Sequence, residues 1–229
     1  MLFMDTANGR NLEREMKSIP NFAPRGSGVV TMPEFYYTAE MCHCRYCPHY
    51  SGRKLNPCRL EQCDCLEIRI KVGAVSHREI LAETLGIIKQ PAFIRRLKEY
   101  LQESEGKLMK FRNDSHLRAF KDASDKIDCK NYAALSALYL LTVDHKLWQI
   151  TKNHIERNRI CFEQVRLKGI DENTYALYCA AKDLLLDTKL LSISDLADKS
   201  LISPMLFGLI CNAMTIRRYG AEFLKKAGE

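Results

Sequence analysis

The sequence predicts a mainly α protein: a small cysteine-cluster module, with room for short β strands, followed by an all-α helical bundle. Three observations lead there. Six of the ten cysteines fall between Cys42 and Cys65. From Ser76 onward apolar residues recur at helical spacing. Capping residues stand before most of those runs, and the loops between them are short. A length of 229 residues suits one or two domains, and 46% hydrophobic with 28% charged residues is ordinary globular usage, which argues against long disorder.

Taken in order, residues 1–31 read as a lead-in. Asn11 to Lys17 can make two helical turns, and Pro20, Pro24, Gly26 and Gly28 then break the pattern. Residues 32–75 hold the cysteine module, entered through a strand candidate, Phe35 to Thr38. Leu66 to Val72 alternates apolar and charged residues, which fits a half-buried strand or the start of a helix. Residues 76–112 read as connecting helices. Ser76 and Glu79 have capping-box spacing before Ile80, Leu81 and Leu85, with Gly86 as a stop, and Pro91 opens the next helix.

Residues 113–229 read as the helical domain, its boundary near Asn113. Asp114, Asp144 and Asp171 are expected N-caps. Asn131 to Leu141 is so apolar that it belongs at the centre of the core. After the helix at Asp144, Ile160, Phe162 and Val165 continue the apolar pattern until Gly169. Ser194 to Ala197 reads as a short helix, and Ser203-Pro204 as an N-cap and N1 pair for a helix ending before Gly220.

The net charge is +7 and diffuse: residues 1–76 carry 10 basic and 8 acidic side chains, residues 77–112 carry 8 and 5, and residues 113–229 carry 17 and 15. A dedicated DNA-binding domain concentrates its charge on one face or stripe. No apolar run approaches the ~18–20 residues of a membrane span, and Met1 to Asp5 lack a basic n-region and a long h-region. The expected location is therefore cytoplasmic, with no membrane partner.

In a reducing compartment a tight cysteine cluster reads as a metal site rather than as disulfides. Cys44 and Cys47 form a CxxC pair, whose turn presents two thiolates to one ion. Cys58 with Cys63 supplies a second pair, so Cys44, Cys47, Cys58 and Cys63 are the expected ligands of one structural Zn²⁺. Cys42, Cys65, His43 and His49 are alternates, and their number also allows two ions. Iron–sulfur spacings are missing, as is the βαβ setting of a thioredoxin-type CxxC. Catalytic deaminase chemistry needs HxE, and His43 is followed by Cys44 and Arg45. Cys129, Cys161, Cys179 and Cys211 are scattered singly and read as core residues.

No GxGxxG, P-loop, HExxH or GxSxG motif occurs, and no nucleophile–base–acid set can be argued from spacing; the chain is expected not to be an enzyme. Asp144-His145 with Asn153-His154 superficially matches HNH nuclease residues, but lies on helical patterns. Lys146 to Lys168 carries a local +4, read chiefly as a solvated basic face. Ser194 to Tyr219 has helix-turn-helix proportions, yet its second helix opens with core residues, Pro204 to Ile210. Around the cysteines, Arg45, Arg53, Lys54 and Arg59 interleave with Tyr46 and Tyr50, a mixture that suits nucleic acid or a protein interface.

The run Phe35-Tyr-Tyr-Thr-Ala-Glu-Met-Cys-His-Cys-Arg-Tyr-Cys-Pro-His-Tyr50 resembles a family of uncharacterised proteins from bacterial conjugative and other mobile elements. So do Asp114 to Phe120 and Leu201 to Gly220. The resemblance covers most of the chain after Phe35. It implies no activity and no catalytic residues, but it does imply a mobile-element setting, where small accessory proteins often bind nucleic acid or disable host defences. The expected partner is thus nucleic acid or a host protein complex, the latter including anti-CRISPR-type inhibition of a nuclease effector.

Overall fold

The computed structural model describes residues 6–20, 37–50, 63–103 and 108–226. Backbone contacts divide the chain into two units, residues 1–36 and 37–229. The first holds α1 (Ala7–Lys17), capped by the Thr6 hydroxyl, which accepts from Gly9 N at 3.3 Å. Its apolar residues Leu12, Met16 and Ile19 are exposed.

The second unit is mainly helical. Its elements are α2 (Leu66–Lys71), α3 (His77–Leu85), α4 (Pro91–Glu103), α5 (Asp114–Ser124), α6 (Tyr132–Leu141), α7 (His145–Thr151), α8 (Glu172–Leu186), α9 (Ile193–Ala197), α10 (Pro204–Tyr219) and α11 (Glu222–Lys226). Among the described residues the sheet is a single antiparallel pair, β1 (Ile155–Glu156) with β2 (Arg159–Ile160). No helix among them is long and apolar enough to cross a membrane.

The core is organised around α6, every residue of which from Ala134 to Leu141 is buried. A helix apolar on all sides is stable only when surrounded, and α5, α7, α8 and α10 pack against it. Helix α10 also packs on α3, while α4 packs on α3 and α9. Each fully buried leucine on α6 stabilises the fold by about 2 kcal/mol relative to an exposed one.

Local chemistry places the helix starts. Ser76 and Glu79 form a reciprocal capping box, and the side chains of Asn131, Asp144, Asp171 and Ser203 each accept from the first turn they precede. The cap before α5 is Asn113, one residue earlier than the expected Asp114; it accepts from His116 N, and Asp114 is the first helical residue. One open reading is resolved and one expectation changes. Leu66 to Lys71 is helical, with Leu66 and Ile70 buried one turn apart against the core; as a strand these positions would still share a face, so the alternation alone did not separate the two. Ile155 to Ile160 forms a hairpin rather than continuing the helical pattern, because Asn158 takes a left-handed φ of 59° and is clasped by its neighbours. Its Oδ1 accepts from Asp128 N at 3.1 Å and from Asn131 Nδ2 at 2.9 Å, and its N–H donates to Lys126 O at 2.8 Å.

A buried polar network ties four segments together. Asn212 on α10 donates from Nδ2 to Met109 O (2.9 Å) and to the Tyr139 hydroxyl (3.1 Å). Its Oδ1 accepts from His77 Nε2 at 2.8 Å, and the Tyr139 hydroxyl donates to Lys110 O at 2.5 Å. Elsewhere the buried Arg96 donates from Nη1 to Leu196 O and Asp198 O, both at 2.8 Å, and from Nη2 to Ile202 O. Its guanidinium lies 4.5 Å from the Phe207 ring centroid, so one side chain joins α4, the turn after α9 and α10.

Candidate metal and partner-binding site

The cysteine segment is built from tight turns. Cys42 N donates to Thr38 O at 3.2 Å, which curls the chain after Tyr37. Cys44–Tyr46 is a single 3₁₀ turn, closed by Cys47 N donating to Cys44 O at 2.9 Å. The CxxC pair therefore straddles one turn, as its spacing requires. His43 caps that turn: its Nδ1 accepts from Arg45 N at 3.1 Å and from Arg45 Nε at 3.3 Å. With Nδ1 accepting, the neutral ring carries its proton on Nε2, so in this arrangement neither nitrogen offers a lone pair to a metal ion. Cys63 and Cys65 stand at the start of α2, where Leu66 N donates to Cys63 O (3.1 Å) and Arg69 N to Cys65 O (3.0 Å).

These two stretches face each other across a cleft of about 390 Å³. One side carries Cys42, His43, Cys44 and Cys47, with Cys63 and Cys65 joining from the α2 side. The thiols are free. Cys65 is exposed, yet desolvation by the surrounding protein pushes its thiol up, and Cys63, Cys47, Asp64 and Cys42 add to the shift. Arg69 donates from Nη1 to Cys63 Sγ at 3.8 Å. Burial pulls that guanidinium down, but the Cys63 contact, together with Cys44, Cys63 and Glu79 nearby, outweighs it and the net shift is upward.

Of the expected ligands, Cys44, Cys47 and Cys63 meet at this cleft, together with the alternates Cys42, Cys65 and His43. His49 is exposed beside it. Cys58 lies outside the described residues, as do Arg53, Lys54 and Arg59. Among the described residues, no group of three or more His, Cys, Asp or Glu side chains is drawn together closely enough to hold a metal ion. Of the expected partner-binding residues, Tyr46 is 67% and Tyr50 39% exposed, both at the cleft, and the Arg45 guanidinium lies 5.8 Å from the Tyr46 ring centroid.

The sequence reading missed the helical wall of the cleft. Ile68 and Arg69 on α2, and Glu79, Ala82 and Glu83 on α3, line it. Positions three and four apart on a helix share a face, so Cys65, Ile68 and Arg69 form one ridge and Glu79, Ala82 and Glu83 the other. Reading Leu66 to Val72 firmly as a helix would have shown the first.

Other sequence candidates resolve into structural roles. Asp144 caps α7, accepting from Lys146 N (2.9 Å) and Leu147 N (3.0 Å), and Arg112 approaches it at 3.5 Å. The Lys146 ammonium is held by Gly169 O, while Arg157 and Arg159 are exposed on the hairpin. Helix α10 buries Leu206, Phe207, Leu209 and Ile210, so most of its opening turns faces the core rather than a DNA groove. At its far end Arg217 Nε donates to Leu184 O at 2.9 Å.

The fold and the site define a helical protein with a thiol-lined surface cleft. Compared with family models, with curated proteins and with solved structures, the chain matches none.

Proposed function

We propose that the chain is a non-enzymatic, zinc-supported macromolecular binding protein. The observation that carries this reading is that five free thiols and three exposed tyrosines, Tyr37, Tyr46 and Tyr50, line one cleft. A segment as small as residues 37–50, dominated by exposed side chains, has no core of its own, and a thiolate-bound ion supplies the missing stabilisation. Cys44, Cys47, Cys58 and Cys63 would hold one Zn²⁺, with Cys65 as an alternate to Cys63. The ion's role is structural, because a full set of thiolates leaves no open position for water. Exposed tyrosines beside Arg45 then provide the contact surface, since Tyr and Arg are enriched at interfaces. The mobile-element setting, a cytoplasmic location and a partner that is nucleic acid or a host protein complex belong to the same proposal.

Two measurements test it. Full-length protein purified without chelator should carry about one zinc per chain, lost in Cys44→Ser and Cys47→Ser. A metal-free chain whose folding and binding are unchanged by Cys44→Ser removes the zinc. Capture from host lysate, with and without nuclease, should recover nucleic acid or a specific protein; recovery of neither removes the binding role.

A further inference from the structure

We propose that the cleft receives a segment of a partner protein that presents an apolar side chain next to a lysine or arginine. This rests on reading the cysteine module as a binding site, and it names the chemistry of the partner.

The first argument is the character of the wall. Met41, Ile68, Ala82 and the ring of Tyr46 give the cleft an apolar lining, and about 390 Å³ is room for a large side chain together with part of its neighbour.

The second argument is charge. Glu79 and Glu83 lie one turn apart on α3, and both line the cleft. The Glu79 Oε2 accepts from Ser76 N (2.8 Å) and Ser76 Oγ (2.7 Å), neutral donors that leave its charge in place. Glu83 makes no hydrogen bond or ion pair among the described residues. Against these two carboxylates the lining offers the single guanidinium of Arg69. A phosphate chain entering here would meet both carboxylates, whereas a lysine or arginine side chain would complete them.

An apolar anchor beside a cation is what a polypeptide segment supplies.

The test uses the full-length chain in zinc-containing buffer with two probes: short randomised peptides displayed on phage, and single-stranded oligothymidine. Enriched peptides should pair an aliphatic or aromatic residue with a nearby Lys or Arg. Their binding should weaken about fivefold or more in Glu83→Gln and be lost in Ala82→Arg, which fills the cleft at an exposed helix position that tolerates arginine. Thermal melts of both variants should match the parent. Enrichment with no preference for cations, or indifferent to both variants, overturns the assignment. So does oligothymidine that binds and competes, or a concentration-dependent dimer that Ala82→Arg abolishes, which would place a second copy in the cleft. Lysate capture that persists in Ala82→Arg with no peptide enriched overturns this assignment while leaving the broader binding role standing.

Discussion

The His116 ring donates from Nε2 to the main-chain carbonyl of Tyr139 at 2.9 Å, and the two rings lie 4.7 Å apart between centroids. The tautomer follows from the other nitrogen, because Nδ1 accepts from Arg112 N at 3.1 Å. A second proton would have to be placed on Nδ1, where an N–H already points. Burial pulls the His116 pKa down to about 4; the Tyr139 carbonyl works against that shift and Arg112 adds to it.

Acid should therefore unfold the protein partly through this residue. The folded state holds His116 neutral, while the unfolded chain takes up the proton near pH ~6.5. The unfolded state binds more protons between about pH 6.5 and 4, so stability falls as pH drops through that window, by on the order of 3 kcal/mol at its lower end. Burial lowers His77 too, so it contributes with the same sign. Urea titrations at neutral pH and near pH ~4.5 measure the loss. His116→Leu should be less stable at neutral pH yet lose less on acidification; an equal acid loss in the variant would discard the role of His116.

Arg96→Met should destabilise the protein by about 3 kcal/mol, since it strands the carbonyls of Leu196, Asp198 and Ile202 and removes the stack on Phe207. Arg96→Lys should recover only part, because an ammonium lacks the planar fork that reaches all three. Chemical denaturation with an unchanged slope checks both, and a Met variant within about 0.5 kcal/mol of the parent would contradict the argument.

Gly208 sits in α10, where an added Cβ would fall 2.2 Å from the Tyr100 hydroxyl and 2.5 Å from its Cζ. Tyr100 is half-buried and packs edge-on against Phe207 at 5.8 Å, so its ring has little freedom to withdraw. Gly208→Ala should therefore cost about 1–2 kcal/mol despite the better helix propensity of alanine. Adding Tyr100→Leu should make the alanine neutral or favourable, and a double-mutant cycle by thermal unfolding measures that coupling. Simple additivity would show that the contact is not what the glycine serves.

Chelation should act locally. The core helices α5, α6, α8 and α10 are built without residues 37–50. Removing the proposed zinc should leave most of the helical far-ultraviolet signal while hydrogen exchange accelerates around Cys42 to Tyr50. Global loss of helix on adding chelator would mean that the cysteine module supports the whole fold.

The sequence by itself determined the helix starts and the central helix. Ser76 with Glu79, Asn131, Asp144, Asp171 and Ser203-Pro204 act on the turn that immediately follows them, so their effect is written within four residues. The apolar character of Tyr132 to Leu141 likewise left it nowhere to lie but inside. It singled out part of the cleft lining as well: Cys44, Cys47, Cys63, Tyr46 and Tyr50 carry recognisable chemistry at recognisable spacing. Tertiary structure decided the rest. Leu66 to Lys71 is too short for periodicity to choose between strand and helix, and the choice came from burying Leu66 and Ile70 against the core, with α11 packed on this helix. Once α2 was helical, Arg69 was turned toward Cys63, and Glu79, Ala82 and Glu83 became the facing wall. Ordinary charged residues on a capped helix have no signature of their own; they become the wall of a cleft only when a second element is packed across from them, and that is a relation between distant segments which no local pattern encodes.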